Sequence, residues 1–539
     1  MKTSEFLLFV ALLAIAAAYV LGADALSMPY LMLRTFIRML GAYILSLIFS
    51  VSLGLFIVHN RKAFGLIFPV LDILQSVPIL GYLPLAVLFI IQAIPILGSE
   101  VASILLIFTS MTWAVVFNVI EGARSIPGDL RDAARLVHMK GASYLFDVLL
   151  PAVYAPVVSG SITGWGGGWY FLVAGEYVTF GKGNPYILPG VGSFIAESAY
   201  SGDMIHSLIG MGILASMVLF MNIFVWGPLL SRANRFSYSQ TSGESQSIRS
   251  NLITRALQTL YTAGKTFILR YLDGAISWLI ISLGVNPSVS MEETKKFNAG
   301  DFAIIFLVAA AFMVIYLFSG KTHSDIGTIA LYSFFTLARI FIGYIIALSV
   351  AIVIAIYIGR NQRLTDALMP LFDVAQSVPA IAVFPIIVVF VIHEIGGDSG
   401  IQLASLLLLL TGMVWYLLFN LIRAVQTIPN DLIDASKLLR MGIVDKVQHV
   451  FLPAIFPTLI VASMQAFGGG WNASIVSEYI TYRSEVFHAD GLGYLLDVAA
   501  GNGDVAGILL SVLAMIAIII ILNKTIWRTA LKRAELYKI

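Results

Sequence analysis

Pro69, Asp72, Gln75, Ser76, Val77 and Pro78 recur with identical spacing as Pro370, Asp373, Gln376, Ser377, Val378 and Pro379, an offset of 301 residues. The register continues at 302. Trp113, Phe117, Asn118, Pro127, Asp129 and Asp132 return as Trp415, Phe419, Asn420, Pro429, Asp431 and Asp434, and Gly166, Gly167, Gly168, Trp169 and Glu176 return as Gly468, Gly469, Gly470, Trp471 and Glu478. A repeat this long means that two copies of one unit are joined, so both must fold alike. The chain divides into a first repeat over 1–235, a linker over 236–298 and a second repeat over 299–539.

The unit is built for lipid. Of the 539 residues 59% are apolar or aromatic and only 12% are charged, against about 45–50% and 25% in soluble domains. A spanning helix needs roughly 20 apolar residues. The first repeat has six such runs, at 6–21, 36–58, 80–97, 101–120, 148–178 and 205–230; the second has them at 302–318, 330–358, 380–392, 401–422, 450–480 and 505–522. The start of the chain also has the look of a signal peptide, with Lys2, an apolar run and then Ala23, Asp24 and Ala25. The matching run at 302–318 cannot be a signal, which favours a first span. Six is even, so equivalent segments run the same way and the repeats are parallel about an axis along the membrane normal. The expected fold is an all-α polytopic membrane protein of about 12 transmembrane helices.

Short-loop cations set the orientation. Arg61 and Lys62, the stretch 124–140, Arg232 and Arg235, Arg360 and Arg363, and the stretches 423–446 and 524–538 all fall on the face of Lys2. That face is cytoplasmic, which places both termini inside a plasma or inner membrane. In the linker, 237–250 is polar and Ser-rich, and about 252–284 spaces Gln258, Thr262, Lys265, Arg270, Asp273 and Ser277 as an amphipathic helix does. Such a helix lies at the cytoplasmic interface or packs on the spans.

Several chemistries are excluded. The chain has no cysteine, and a net charge of +2 leaves no basic surplus for nucleic acid. Gly264-Lys265-Thr266 and Gly320-Lys321-Thr322 resemble the end of a phosphate loop, but Thr259 and Ile315 stand where its first glycine is needed. His393-Glu394 has Gly397 in place of a second histidine, and the seven histidines show no ligand spacing. The chain offers no catalytic residue, cofactor site or metal site.

The informative segments are the cytoplasmic loops between the fourth and fifth spans, at about 121–147 and 423–449. In the first, Pro127 and Asp129 open a short polar helix carrying Arg131, Asp132, Ala133, Ala134 and Arg135; in the second, Pro429 and Asp431 precede Asp434, Ala435, Ser436 and Lys437. A short helix parallel to the membrane, duplicated, is an element that a partner grips rather than an ordinary solvated loop.

Here the sequence resembles the transmembrane subunits of binding-protein-dependent ABC importers, of type I architecture. Their loop signature is Glu-Ala-Ala, a glycine three residues on, and a Leu-Pro ending nineteen residues after the Glu. Asp132, Ala133 and Ala134 with Pro151, and Asp434, Ala435 and Ser436 with Pro453, fit the acid, the small residues and the spacing. Asp replaces Glu in both copies, and His138 and Arg440 hold the glycine position, with Gly141 and Gly442 out of register. The segments from Trp169 to Glu176-Tyr177 and from Trp471 to Glu478-Tyr479, followed by Gly190 and Gly192 and by Gly491 and Gly493, look most like nitrate, sulfonate, taurine and bicarbonate permeases. The resemblance covers about 30–235 and 325–530. It implies two ATP-binding cassette subunits in the cytosol that hold ATP and Mg, an extracytoplasmic solute-binding protein, and no enzymatic activity or cofactor in this chain. It also implies that each loop helix seats in one ATPase and that the two halves rock to open the pathway for a small anion. The rival class is a 12-span secondary transporter driven by an ion gradient, which needs ionisable groups at midplane; the acids here fall mostly in loops or near span ends. An intramembrane enzyme would need a catalytic constellation, and none is present.

Two features of the spans complete the expected pathway. Gly166, Gly167 and Gly168, with Trp169, and Gly468, Gly469 and Gly470, with Trp471, are expected to interrupt the fifth spans where the halves meet; close packing of unbroken helices is the other reading. Arg38 and Arg339, near the outer end of the second span, share their depth with Glu176 and Glu478. An unpaired charge in hydrocarbon costs at least about 2.5 kcal/mol, so each Glu is expected to pair with an Arg at the outer gate, within its half or across the interface, unless all four are hydrated at the surface.

Overall fold

The computed structural model describes residues 26–75, 77–94, 97–139, 141–178, 186–233, 326–378, 383, 387–482 and 485–534, with residues 259, 262, 266 and 277 of the linker. The first repeat runs through α1 (Met28–His59), α2 (Arg61–Leu74), α3 (Ile79–Ala93), α4 (Gly98–Arg124), a short α5 (Gly128–Leu136) and α6 (Gly141–Glu176). A hairpin of β1 (Tyr177–Val178) and β2 (Tyr186–Ile187), α7 (Val191–Ser201) and α8 (Met204–Ala233) complete it. The second repeat gives the same series: α9 (Ile326–Gly359), α10 (Gln362–Gln376), α11 (Gly397–Thr411), α12 (Val414–Gln426), α13 (Asn430–Leu438), α14 (Ile443–Glu478), β3 (Tyr479–Tyr482), β4 (Glu485–His488), α15 (Leu492–Asn502) and α16 (Val505–Ala534).

Among the described residues seven helices are long and apolar enough to cross a membrane, or eight if α11 and α12, bent by 43°, form one broken span. The chain is a multi-pass membrane protein. The expected first spans at 6–21 and 302–318 lie outside the described residues, as do 380–382 and 384–386 of the expected third span of the second repeat, whose end over 387–395 is helical. The third span of the first repeat is shorter than expected: α3 has 15 residues, about 22 Å, against a hydrocarbon core of roughly 30 Å. It is preceded by a helix, α2, in a stretch whose sequence showed a basic pair and the repeated proline motif. Its counterpart α10 is capped by the Asn361 side chain, which accepts from the amides of Arg363 and Leu364 at 3.1 and 3.3 Å.

Small residues set the packing within each half. On α1, Ala42, Ser46, Ser50 and Gly54 are buried at every fourth position; on α9, Gly343, Ala347, Ala351, Ala355 and Gly359 repeat the stripe. Every fourth residue shares one helix face, and small side chains there let backbones approach closely, as spanning helices require. A Cβ at Gly54 would lie 2.7 Å from Val119 of α4, and one at Gly359 would lie 2.9 Å from Val425 of α12. The opposite face of α1 exposes Leu33, Ile37 and Ile48, which lipid covers.

The halves interlock where α3 of the first half and α10 of the second pack against the other half. The backbone N–H of Ile79, at the first turn of α3, donates to Asn472 Oδ1 of α14 at 2.6 Å, and Gly81 lies against Leu496 and Val512 of α15 and α16. Reciprocally, Val374 of α10 and Val378 beyond it pack on the Met and Trp cluster of the first half. In the linker Thr259, Thr262, Thr266 and Ser277 are helical, the threonines exposed. The Ala142 amide donates to Ser277 Oγ at 3.0 Å, so this part of the linker rests on the start of α6. The rest of the expected 252–284 helix lies outside the described residues.

Candidate functional site

At the end opposite the loop helices, each fifth span terminates in a glutamate that takes no solvent. Glu176, the last residue of α6, accepts from Thr35 Oγ1 at 2.8 Å, Arg38 Nη1 at 2.7 Å, and the amides of Gly192 and Ser193 at 2.7 and 3.3 Å. Glu478 repeats this with Thr336, Arg339 and the Gly493 amide. Both glutamate side chains are 0% exposed. Each carboxylate thus sits on the positive N-terminus of the next helix, α7 or α15. Thr35 and Thr336 also accept from the first amides of those helices, Val191 and Leu492, at 2.9 and 2.8 Å. The repeated glycines now have a cause: a Cβ on Gly190 or Gly491 would collide with the carboxylate. The expected pairing of Arg38 with Glu176 and Arg339 with Glu478 exists, and it lies within each half.

The two copies differ at one point of this network. Arg38 also binds Glu100 of α4, through Nε at 2.6 Å and Nη2 at 2.9 Å, and Glu100 further pairs with Arg34. In the second half position 402 is Gln, and Arg339 reaches Gln402 Oε1 at 3.0 Å and the Asp490 carbonyl at 3.2 Å.

The glycines do not interrupt the fifth spans, which corrects the expectation. The segments Leu150–Glu176 and Leu452–Glu478 are unbroken α-helix through Gly166 to Gly168 and Gly468 to Gly470. Three consecutive glycines point about 100° apart, and each meets a different neighbour. Gly166 faces the Gln376 amide of the other half, 3.3 Å from a built Cβ, while Gly468 faces open space. A Cβ on Gly167 would lie 3.3 Å from the Ser110 carbonyl oxygen, and one on Gly469 would meet the Gly412 carbonyl, where α11 and α12 bend. Gly168 and Gly470 meet Met111 and Met413. Helix propensity is sacrificed for close approach, the alternative reading. Trp169 and Trp471, expected at the pathway, are buried, Trp169 in the core of the first half and Trp471 in a cluster that draws on both halves.

The loop helices α5 and α13 hold the remaining expected site residues. Pro127 and Pro429 stand at the N-caps with extended backbone, Asp129 and Asp431 lie in the first turns, and Ala134 and Ser436 face inward and are buried. Ala133 and Ala435 are exposed. Asp132 pairs with Arg135 and Asp434 with Lys437, each at 2.9 Å on its own helix; Arg131 instead turns back to the Ile126 carbonyl at 2.9 Å. Exposed i,i+3 pairs of this kind contribute little to stability.

Both helices end in the same turn, which the sequence left open. His138 and Arg440, at the family's glycine position, adopt the left-handed conformation with φ of 54° and 50°. The His138 amide bonds the Arg135 carbonyl and Met139 bonds Ala134; Arg440 and Met441 do likewise with Lys437 and Ser436. This is the Schellman arrangement that glycine usually serves. The turn projects bare apolar side chains: Leu136 is 81% exposed and Leu438 85%, with Val137 and Leu439 beside them. The two helices thus carry exposed apolar tips at equivalent places, patches of the kind that mark protein contacts.

The model of the family described as binding-protein-dependent transport system inner membrane component matches this chain twice, over residues 42–227 and 347–526. A nitrate import permease protein of Synechocystis sp. is 28% identical over 160 residues, 30% of this chain and 53% of the relative. A bicarbonate transport system permease protein of Synechococcus elongatus is 27% identical over 178 residues, 32% of this chain and 60% of the relative. A taurine transport system permease protein of Escherichia coli is 26% identical over 159 residues, 30% and 56% of the two chains. The alignments thus span between about half and two-thirds of these relatives.

Proposed function

Since the chain belongs to the family of binding-protein-dependent transport system inner membrane components, we propose that it is the permease subunit of an ATP-driven ABC importer and that its two halves form the pathway for a small solute. The observation that carries the reading is the pair of loop helices, each presenting an exposed apolar tip on a left-handed turn. One ATP-binding cassette subunit seats on α5 and a second on α13, and ATP and Mg belong to those subunits. The chain itself is not an enzyme. A solute-binding protein delivers cargo at the opposite end, where α7 and α15 are fastened by Glu176 and Glu478. The relatives named for nitrate, bicarbonate and taurine point to a small anion as cargo. Both termini are cytoplasmic and the membrane is the plasma or inner membrane.

In this mechanism the loop helices transmit force. Nucleotide-driven closure of the ATPases draws α5 and α13 together, and the interlocked halves rock about the seam crossed by α3 and α10. The Arg–Glu pairs hold the outer caps to their own halves during the swing, so that each half moves as a body. A secondary transporter is not favoured, because gradient coupling has no use for two docking helices.

The test is reconstitution with the ATPase subunits. Uptake should require ATP hydrolysis, cross-links should form from Leu136 and Leu438 to the ATPase, and Asp132→Lys with Asp434→Lys should uncouple hydrolysis from uptake. Gradient-driven uptake without the ATPase, or an intact complex lacking these cross-links, defeats the reading. A topology reporter near Ser245 should read cytoplasmic and one near Asn502 external.

A further inference from the structure

The two docking loops repeat one another, yet the flank just beyond the tip is built differently in each. In the first loop Gly141 and Ala142 open α6 and are buried. The Ala142 amide donates to Ser277 Oγ of the linker at 3.0 Å, and a Cβ on Gly141 would collide with the same hydroxyl. Gly141 also holds a φ of 58°, a conformation that glycine adopts without steric cost. The linker therefore lies on this flank at backbone distance. It leaves the tip free, since Leu136 is 81% and Val137 69% exposed with Ser277 in place.

At the offset of 302 the same two positions are Ile443 and Val444, which open α14. They are 84% and 66% exposed, where their counterparts are buried under the linker. With Leu438 and Leu439 at the tip, four bare apolar side chains fall within the stretch 438–444. Asp445, Gln448 and His449 are exposed beside them. An ionised and polar border of this kind keeps the flank out of hydrocarbon, and an apolar patch rimmed by polar residues marks a protein contact. The patch is continuous along the chain with α13, the helix assigned to an ATPase subunit.

We propose that the two ATPase seats are unequal: the linker at Ser277 braces the flank of the first loop, whereas at the second the ATPase subunit itself covers that flank through Ile443 and Val444. The inference rests on the importer reading and deepens it. The second seat buries more apolar surface on the ATPase and is the tighter of the two. The first depends on the linker remaining seated.

The experiment uses the full chain in lipid nanodiscs, titrated with the ATPase subunits. The chain has no cysteine, so an environment-sensitive fluorophore reports one place at a time, attached through Ala133→Cys on α5 or Ala435→Cys on α13, both exposed. The probe on α13 should respond at an ATPase concentration about tenfold below the probe on α5, a part of what burying two large apolar side chains supplies. Ile443→Ser with Val444→Ser, both at exposed positions, should erase that gap by weakening the second seat alone. Ser277→Ala, which removes the brace's hydroxyl, should weaken the first seat alone by about fivefold, the worth of one hydrogen bond, and Gly141→Ala, which drives Ser277 away, should act in the same direction. Equal responses of the two loops in the unaltered background, a gap that survives the paired serine substitutions, or a first seat that tightens when Ser277 is displaced each overturns the inference. Quenching of a fluorophore at Val444→Cys by spin-labelled lipid would give the flank to the membrane and overturn it too. Silence of both probes defeats the importer reading and this inference with it, whereas equal responses remove this inference only.

Discussion

Replacing Glu478 by Gln should damage the protein more than the matching change at Glu176, although the two glutamates are repeats of one position. Glu176→Gln leaves Arg38 with Glu100, held through two bonds at 2.6 and 2.9 Å, so the buried guanidinium keeps a counter-charge. The loss is then that of charge-assisted hydrogen bonds, about 1.5–3 kcal/mol. Glu478→Gln leaves Arg339, whose side chain is 8% exposed, with the neutral oxygens of Gln402 and Asp490. Stripping one partner from a buried pair costs about 3–5 kcal/mol, because the remaining charge stays uncompensated. Unfolding of the purified protein in detergent, followed by tryptophan fluorescence, should rank the wild type above Glu176→Gln and Glu176→Gln above Glu478→Gln. Adding Gln402→Glu to Glu478→Gln supplies the carboxylate that the first half has, and should recover more than half of the deficit. Equal losses in the two halves, or no rescue by Gln402→Glu, would show that the buried charges do not hold the outer caps.

His138→Gly and Arg440→Gly should each raise stability by about 1 kcal/mol, since each removes the cost of a side chain at positive φ; a fall in the denaturation midpoint would count against the left-handed turn. Gly469→Ala should impair folding because its Cβ meets the Gly412 carbonyl, whereas Gly468→Ala, which faces open space, should be tolerated; purified yield and unfolding midpoint distinguish them. Asp497 has its pKa pushed up to about 7 by burial. An acid protonated more readily when folded takes up protons on folding between its ordinary value near 3.9 and 7, so its contribution weakens as pH rises through that window. Asp497→Asn should therefore stabilise the protein more at pH 8 than at pH 5, and an equal effect at both would argue against a buried ionised carboxylate.

The cost of four charges at one depth in hydrocarbon pointed to Arg–Glu pairing, with separate hydration at the surface as the other reading. It did not say whether the pairs close within a half or across the seam, because both arrangements satisfy the same charges. The triple glycines misled in one respect. Low helix propensity suggested a break, yet an intact hydrogen-bond ladder is worth more in lipid than propensity costs, and the glycines serve three different close approaches instead. His138 and Arg440 replace the family's loop glycine, yet the backbone keeps the left-handed turn that glycine would serve.

By itself the sequence determined the membrane class, the duplication and the polar loop helices. Each follows from local composition or from identity at a fixed offset, and both survive without knowledge of what lies opposite. Only the tertiary structure decided that α3 and α10 cross into the opposite half, that Trp169 and Trp471 are buried, and that Glu176 and Glu478 receive first-turn amides of the next helix. These are properties of pairs of residues far apart in the chain. A helix face is written in its own sequence, but the face that covers it is chosen by packing, and in lipid, where apolar contact alone discriminates poorly, small side chains and buried polar pairs make the choice.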